Sequence, residues 1–217
     1  MLKKMFLKTT KKAEHEKNSL IIIDNEVRGI LPDRILLSYF PLPFAGEIDD
    51  EQGKELLSLI AKNARQQLLK YVSDQEHSSV QCRQFLSRKH YPAELIDNLI
   101  KEFQNKKYID DFRFVQILIS SLIERKKSKR AIAQKLKETQ LPNELWERKL
   151  NELYPLEEEK ENLKEQIVKL RFRYRDLPLN KQKEKVFASL YRKGFDLDAI
   201  HSAWQECSSK GFLPSQE

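Results

Sequence analysis

The side chains with most chemistry to offer are cations. Arg125-Lys126-Lys127-Ser128-Lys129-Arg130, followed by Lys135 and Lys137, carries no acid until Glu138. Lys169, Arg171, Arg173 and Arg175 alternate with Leu170, Phe172 and Tyr174, and Lys181, Lys183, Lys185, Arg192 and Lys193 come after them. Arg83, Arg88 and Lys89 form an earlier group. Guanidinium and ammonium groups at this density suit a phosphate backbone or an acidic protein groove. The competing explanation is a solvated helix face, where lysines are interleaved with glutamates. The run from Arg125 to Lys137 lacks that interleaving. The candidate contacts are therefore Arg83, Arg88, Lys89, Arg125, Lys126, Lys127, Lys129, Arg130, Arg171, Arg173, Arg175, Lys183, Arg192 and Lys193. Aromatic rings among arginines can stack on the bases of a single strand. Phe172 is expected in the core, because it aligns with Leu68 and Leu118 in the repeat described below; Tyr174 stays open to either role.

Reaction chemistry finds no footing. No GxxxxGK[ST] or GxGxxG occurs among the 5 scattered glycines, so no phosphate loop is expected. His15, His77, His90 and His201 have no metal-ligand spacing and are expected at the surface or its edge. Carboxylates sit among lysines, as in Glu157-Glu158-Glu159-Lys160-Glu161, which marks solvated helix rather than general acid–base work. Asp110-Asp111 has the chemistry of a metal ligand pair, yet helix capping accounts for it with fewer assumptions. Cys82 and Cys207 occupy apolar helical positions and read as buried thiols, not a disulfide. The expectation is a protein that is not an enzyme, with no catalytic residues, no metal and no cofactor.

The elements that must carry these cations are helices. The 217 residues are 40% hydrophobic and 34% charged, with only 5 Gly and 8 Pro, a mixture rich in helix formers. The formal net charge is +7 and the pI about 9.2, a balance common in partners of polyanions. No run approaches the ~20 apolar residues of a membrane span. The apolar stretch of the basic N-terminus, Met5-Phe6-Leu7, is too short for a signal peptide. A cytoplasmic monomer that meets no membrane is expected.

Self-similarity with a period of roughly 50 residues organises the chain. Gln84 to Pro92, Gln134 to Pro142 and Ala188 to Asp196 align, with Leu86, Leu136 and Leu190 matching. Tyr91, Leu141 and Phe195 match next, then Ile96, Trp146 and Ile200, then Ile100, Leu150 and Trp204. Upstream, Cys82, Ile132 and Val186 correspond, and so do Leu68, Leu118 and Phe172. Matches three and four apart define one buried helical face per copy. Each copy reads as three helices. Ser78 with Gln81 makes a capping box, Asp110 precedes a helix with the stripe Phe114, Ile117, Leu118 and Leu122, and Pro92 and Pro142 open third helices. One small unit buries little, so stacked copies would support one another in an elongated curved rod.

Before the repeats, Leu20-Ile21-Ile22-Ile23, then Asp24-Asn25-Glu26, then an apolar run to Leu37 predict a β-hairpin. Asp49-Asp50 caps the helix that follows. The expected organisation is a basic N-terminal tail over 1–18, a hairpin extension over 19–48, and helical repeats over 49–107, 108–156 and 157–217.

The sequence resembles the RecX family, regulators of the RecA recombinase, from about Leu20 to Phe212. Lys107-Tyr108-Ile109-Asp110-Asp111-Phe112-Arg113-Phe114 is similar to the family's GYIDDERFA segment, and Leu190-Tyr191-Arg192-Lys193-Gly194-Phe195-Asp196 to its LxRRGFS segment. Ser78-Ser79 with Arg83 and Leu86 resembles RSExELRxKL. The family's glycines are replaced by His90 and Gln140 and kept at Gly194; Lys106 and Val115 replace a common Gly and Ala. If the turns are conserved, His90 and Gln140 must take up the left-handed conformation glycine prefers. The resemblance implies a partner, the RecA nucleoprotein filament, whose growth, recombination, ATPase and co-protease activities such a protein limits, in DNA repair and the SOS response. Single-stranded DNA contacted directly is a further expected partner. Two alternatives stand beside it: a helical-repeat nucleic-acid binder independent of RecA, and an α-solenoid adaptor for an acidic protein.

Overall fold

A computed structural model describes residues 4–11 and 15–209. The chain divides into two compact units, residues 1–111 and 112–217.

The first unit opens with four strands, β1 (Met5–Thr10), β2 (Asn18–Ile23), β3 (Glu26–Pro32) and β4 (Ala45–Ile48), in one antiparallel sheet of order β3-β2-β1-β4. The expected hairpin is there as β2–β3, turning at Asp24 and Asn25, both with positive φ. A hairpin alone was too little. Residues assigned to a basic tail supply β1 at the centre of the sheet, and Ala45–Ile48 adds a fourth strand. The physical reason is burial by alternation: Leu7 and Thr9 point inward with Ile21, Ile23, Leu31 and Ile48, while Phe6 and Lys8 point outward. A two-stranded ribbon could not have covered that face. A short helix, α1 (Asp33–Leu36), follows β3.

The sheet packs on α2 (Asp50–Asp74), α3 (Ser79–Arg88) and α4 (Ala93–Asn105) around one core that includes Leu56, Ile60, Leu86, Ile100 and Phe103. Asp49 caps α2 in a capping box with Gln52, and Ser78 caps α3 with Gln81, as their spacing predicts. Buried Asn63 on α2 ties helix to sheet: its Nδ2 donates to the Ile30 carbonyl at 3.0 Å and to the Tyr91 hydroxyl at 2.9 Å. Gly29 is needed beside them, since a Cβ there would lie 2.6 Å from the Tyr91 ring.

The second unit holds α5 (Asp111–Glu124, from its second residue), α6 (Lys129–Lys137), α7 (Asn143–Leu153), α8 (Leu156–Arg173), α9 (Leu179–Arg192) and α10 (Leu197–Ser209). Helices α8 to α10 enclose Leu163, Ile167, Val186, Leu190, Ile200 and Trp204. Leu86, Leu136 and Leu190 are all fully buried, as the repeat alignment requires. His90 and Gln140 have φ of 61° and 60°, the left-handed conformation that Gly194 adopts at 94°. The turns are kept without the glycine.

Two assignments fail at the first helices. The buried face of α5 is Phe114, Val115 and Ile119, and Ile117 is 50% exposed. Phe172, placed in the core by alignment, is 54% exposed. The N-cap positions of the middle helices are Ser78, Ser128 and Pro178, spaced evenly, so the four residues that lengthen the third copy lie inside α9. Carrying the longer offset back across α8 moved the alignment one turn too far. Pro92 and Pro142 are likewise N-caps of α4 and α7, one position before the first helical residue.

Candidate nucleic-acid interface

The basic residues fall at helix ends, where a cation beside the last carbonyls opposes the negative end of the dipole. Arg88 lies in the last turn of α3, Arg171 and Arg173 in that of α8, and Arg192 in that of α9. Lys129 and Arg130 are the reverse case, positive charges on the first turn of α6. Glu159 offsets them there, its carboxylate accepting the Lys129 backbone N–H at 2.7 Å.

Several candidates are held by the protein itself. Arg83 pairs with Asp97. Arg130 pairs with Asp196 at 2.8 Å and donates from Nε to the Gly194 carbonyl at 3.2 Å. Arg171 covers the Trp204 ring at 4.9 Å and donates to the Cys207 carbonyl at 3.4 Å. Lys89 and Lys183 sit over the rings of Phe85 and Phe187, at 5.1 and 5.3 Å. Arg175 covers Phe172 at 4.4 Å. These contacts give each a packing role that charge alone did not reveal.

The remaining cations of the second unit converge. Lys193, at the end of α9, is half-buried, and its Nζ donates to Gln166 on α8. Burial pushes its ammonium pKa down, and the positive charges of Lys127, Arg173 and Lys126 push it further the same way. The Ser128 backbone N–H donates to the Lys193 carbonyl at 3.1 Å, so the loop after α5 and the end of α9 meet beside the middle of α8, and the positive charge of Arg173 acts on them from its last turn. Lys126 reaches one carboxylate, Glu165, at 3.7 Å. Arg125, Lys127, Arg173 and Arg192 have no ion pair among the described residues. Arg83, Arg88 and Lys89 belong to the first unit and are a separate group.

Tyr174 is half-buried against the core of α8 to α10, with Lys185 at 5.8 Å from its ring. The exposed aromatic of the pair is Phe172, the opposite of the alignment's assignment. Only the placement of the four extra residues within α9 could have signalled it.

The other chemistry-bearing groups are structural. His77, expected at the surface, is buried and stacked on Tyr71 at 3.7 Å. The apolar environment near Tyr71 and Phe85 accounts for its position. Asp111 accepts the Ser79 backbone N–H at 2.7 Å and its hydroxyl at 2.6 Å, which makes it a cap for α3. Burial pushes the Cys82 thiol up to about 12, so it is a poor nucleophile. Cys207 is also a free, buried thiol, raised chiefly by burial. No cluster of three or more potential metal ligands occurs among the described residues, and no helix among them is long and apolar enough to cross a membrane. A shallow groove of about 370 Å³ along α5, lined by Arg113, Gln116, Ile117, Ser120, Ser121 and Glu124, includes no histidine or cysteine.

A four-stranded antiparallel sheet followed by three-helix groups defines a mostly helical fold, which comparisons with known proteins place. Residues 157–204, covering α8, α9 and most of α10, match the family model for the third three-helix domain of RecX. The chain is 24% identical over 193 residues to the regulatory protein RecX of Listeria monocytogenes, covering 88% of this chain and 71% of that one. It is 28% identical over 181 residues to the regulatory protein RecX of Leuconostoc mesenteroides, covering 82% and 67% respectively. A crystal structure of a regulatory protein RecX shares the fold, with a TM-score of 0.58 over 92% of this chain and 99% of that one at 20% identity. Over most of its length the chain is similar to proteins of the RecX family, and residues 157–204 match that family's third domain. Its relatives are named as regulators, not as enzymes.

Proposed function

We propose that this chain is a regulator that binds RecA and the RecA–DNA filament and restrains its recombinase, ATPase and co-protease activities, acting in the cytoplasm as a monomer during DNA repair and the SOS response. The observation that carries the reading is the gathering of the charges of Lys127, Arg173 and Lys193 in a chain similar to RecX proteins. Under it, the repeats run over 49–107, 108–156 and 157–217, with the sheet before them. Tandem repeats engage neighbouring RecA protomers; once one repeat docks, the next binds at high effective concentration. Arg88, Arg125 and Arg192 are proposed contacts beside the cluster. Arg83, Lys89, Arg130, Arg171 and Lys183 contribute less, because the side chain of each is engaged within the protein, whereas Lys129 is bonded through its backbone N–H and stays a proposed contact.

Co-sedimentation with RecA assembled on single-stranded DNA tests the proposal. The chain is expected to pellet with the RecA filament, and Lys127→Gln/Arg173→Gln/Lys193→Gln to remain largely in the supernatant. A wild-type chain that pellets equally with DNA alone and ignores RecA favours the RecA-independent nucleic-acid binder.

A further inference from the structure

The sheet of the first unit turns one face to α2, α3 and α4 and the other away from them. Strand β2 reads Leu20-Ile21-Ile22-Ile23, an unbroken apolar run of the kind carried by strands that are covered on both faces. Ile21 and Ile23 point into the core, whereas Leu20 and Ile22 point the other way and are half-exposed. Ile22 lies opposite Val27 of β3 on one side and Lys8 of β1 on the other. Val27 is 40% exposed, and Phe6, two residues before Lys8, is 48% exposed. The backbone of Phe6 is fixed at that edge: its N–H donates to Asp24 Oδ1 at 2.8 Å and its carbonyl accepts the Asp24 N–H at 3.0 Å. A residue already ordered in this way loses less freedom when something covers it.

The charge of this face constrains what covers it. Lys4 pairs with Glu47 at 2.6 Å and Arg28 with Glu26 at 2.5 Å, while Lys8 has no ion pair among the described residues. Lys4, Lys8 and Arg28 stand against Asp24, Glu26 and Glu47 around Phe6, Ile22 and Val27, so the signs balance here in a chain of net charge +7. A balanced apolar face does not select a polyanion. It fits a copy of itself, because a two-fold interface sets one patch against the same patch, and each sign then finds its complement. We propose that the chain, when free of the filament, pairs with a second copy through the outer face of the sheet. Phe6, Leu20, Ile22 and Val27 form the centre of that contact, and Lys8 meets an acid of the other copy. Four strands ~4.8 Å apart and about six residues long, at ~3.4 Å per residue, make a face roughly 20 Å square. That flat area is about half of the ~800 Å² per partner in a stable interface, so the pairing is weak and reversible. It goes beyond the filament reading, in which a monomer acts, because a weak pair dissociates on dilution.

The test is sedimentation equilibrium of the full chain, without RecA or DNA, from low micromolar to several hundred micromolar protein. The weight-average mass is expected to rise from the 25.8 kDa of one chain toward twice that value. Half of the chains should be paired at a concentration on the order of 100 µM, as an interface below the standard size implies. High salt should leave the pairing in place, since burial of apolar surface is not screened. Phe6→Lys/Val27→Lys, at two exposed positions, is expected to keep the mass of one chain throughout the series. Lys8→Glu gives each copy an excess of acid at the face and should weaken pairing several-fold. Lys127→Gln/Arg173→Gln/Lys193→Gln, altered in the second unit, should pair as the wild type does. Circular dichroism establishes that each variant is folded. A wild-type chain that keeps the mass of one chain at every concentration overturns the proposal. So does pairing that survives Phe6→Lys/Val27→Lys, or pairing that is lost in Lys127→Gln/Arg173→Gln/Lys193→Gln.

Discussion

Glu159, in the first turn of α8, accepts a hydrogen bond at 2.7 Å from the backbone N–H of Lys129, the first residue of α6. Asp111, the first residue of α5, does the same for Ser79, the first residue of α3, at 2.7 Å. In both cases an acid opening one three-helix group satisfies an amide that the middle helix of the preceding group leaves without an intrahelical partner. The carboxylate also offsets the positive dipole end, which at α6 is loaded further by Lys129 and Arg130. Glu159→Ala is therefore expected to cost about 1–2 kcal/mol in urea unfolding, and Glu159→Gln less, because the amide oxygen still accepts. Equal stability of Glu159→Ala and wild type would contradict this.

Leu136→Ala removes a fully buried side chain from the middle of α6. A loss of about 2–5 kcal/mol is expected, the range for such cavities. A change below roughly 0.5 kcal/mol, typical of surface sites, would contradict the shared core position of Leu86, Leu136 and Leu190.

The left-handed turns at His90, Gln140 and Gly194 predict opposite effects for opposite substitutions. His90→Gly and Gln140→Gly replace residues at φ near 60° with the one residue that adopts it without a steric penalty. The Nε2 of His90 is buried with no hydrogen-bond partner among the described residues, so its removal forfeits nothing there. Each variant should gain about 0.5–1 kcal/mol in stability. Gly194→Ala should lose more than it would from backbone strain alone, because its Cβ would lie 2.6 Å from Ala131 Cβ and 2.7 Å from Ser128 Oγ. Urea midpoints of the three variants check the signs.

Alkaline pH should destabilise the chain. Burial raises the Tyr91 and Tyr154 phenols from 10.0 to about 12, against the hydrogen bonds given by Asn63 and Asn162. Cys82 is raised from 9.0 to about 12, also by burial. In the unfolded chain these groups ionise at their ordinary values, while the fold keeps them neutral. Their contribution is fully present below about pH 9 and is lost as the pH rises toward 12. Tyrosinate absorbance followed beside circular dichroism should show a fraction of the 7 tyrosines titrating late, together with unfolding. Complete titration near pH 10 with the fold intact would contradict the burial.

The helical repeat was legible because its signals are local. Ser78 with Gln81 and Asp49 before α2 cap as their types predict, and Leu86, Leu136 and Leu190 keep one register. The sheet was only half legible. β1 is six residues long among lysines, and its pairing to β4, with Leu7 opposite Gly46, joins residues far apart in sequence. The basic site was legible in composition but not in membership. Whether an arginine meets solvent, as Arg173 does, or a partner, as Arg130 meets Asp196, depends on contacts between helices that spacing along one helix cannot report.

The most direct measurement is the single-stranded-DNA-dependent ATPase of the cognate RecA, titrated with the full chain. A protein that spans neighbouring protomers should suppress the activity at well below one copy per RecA protomer, by avidity. The Lys127→Gln/Arg173→Gln/Lys193→Gln variant, folded by circular dichroism, should need several-fold more protein for the same effect. An ATPase rate unchanged at equimolar wild-type chain would contradict the account.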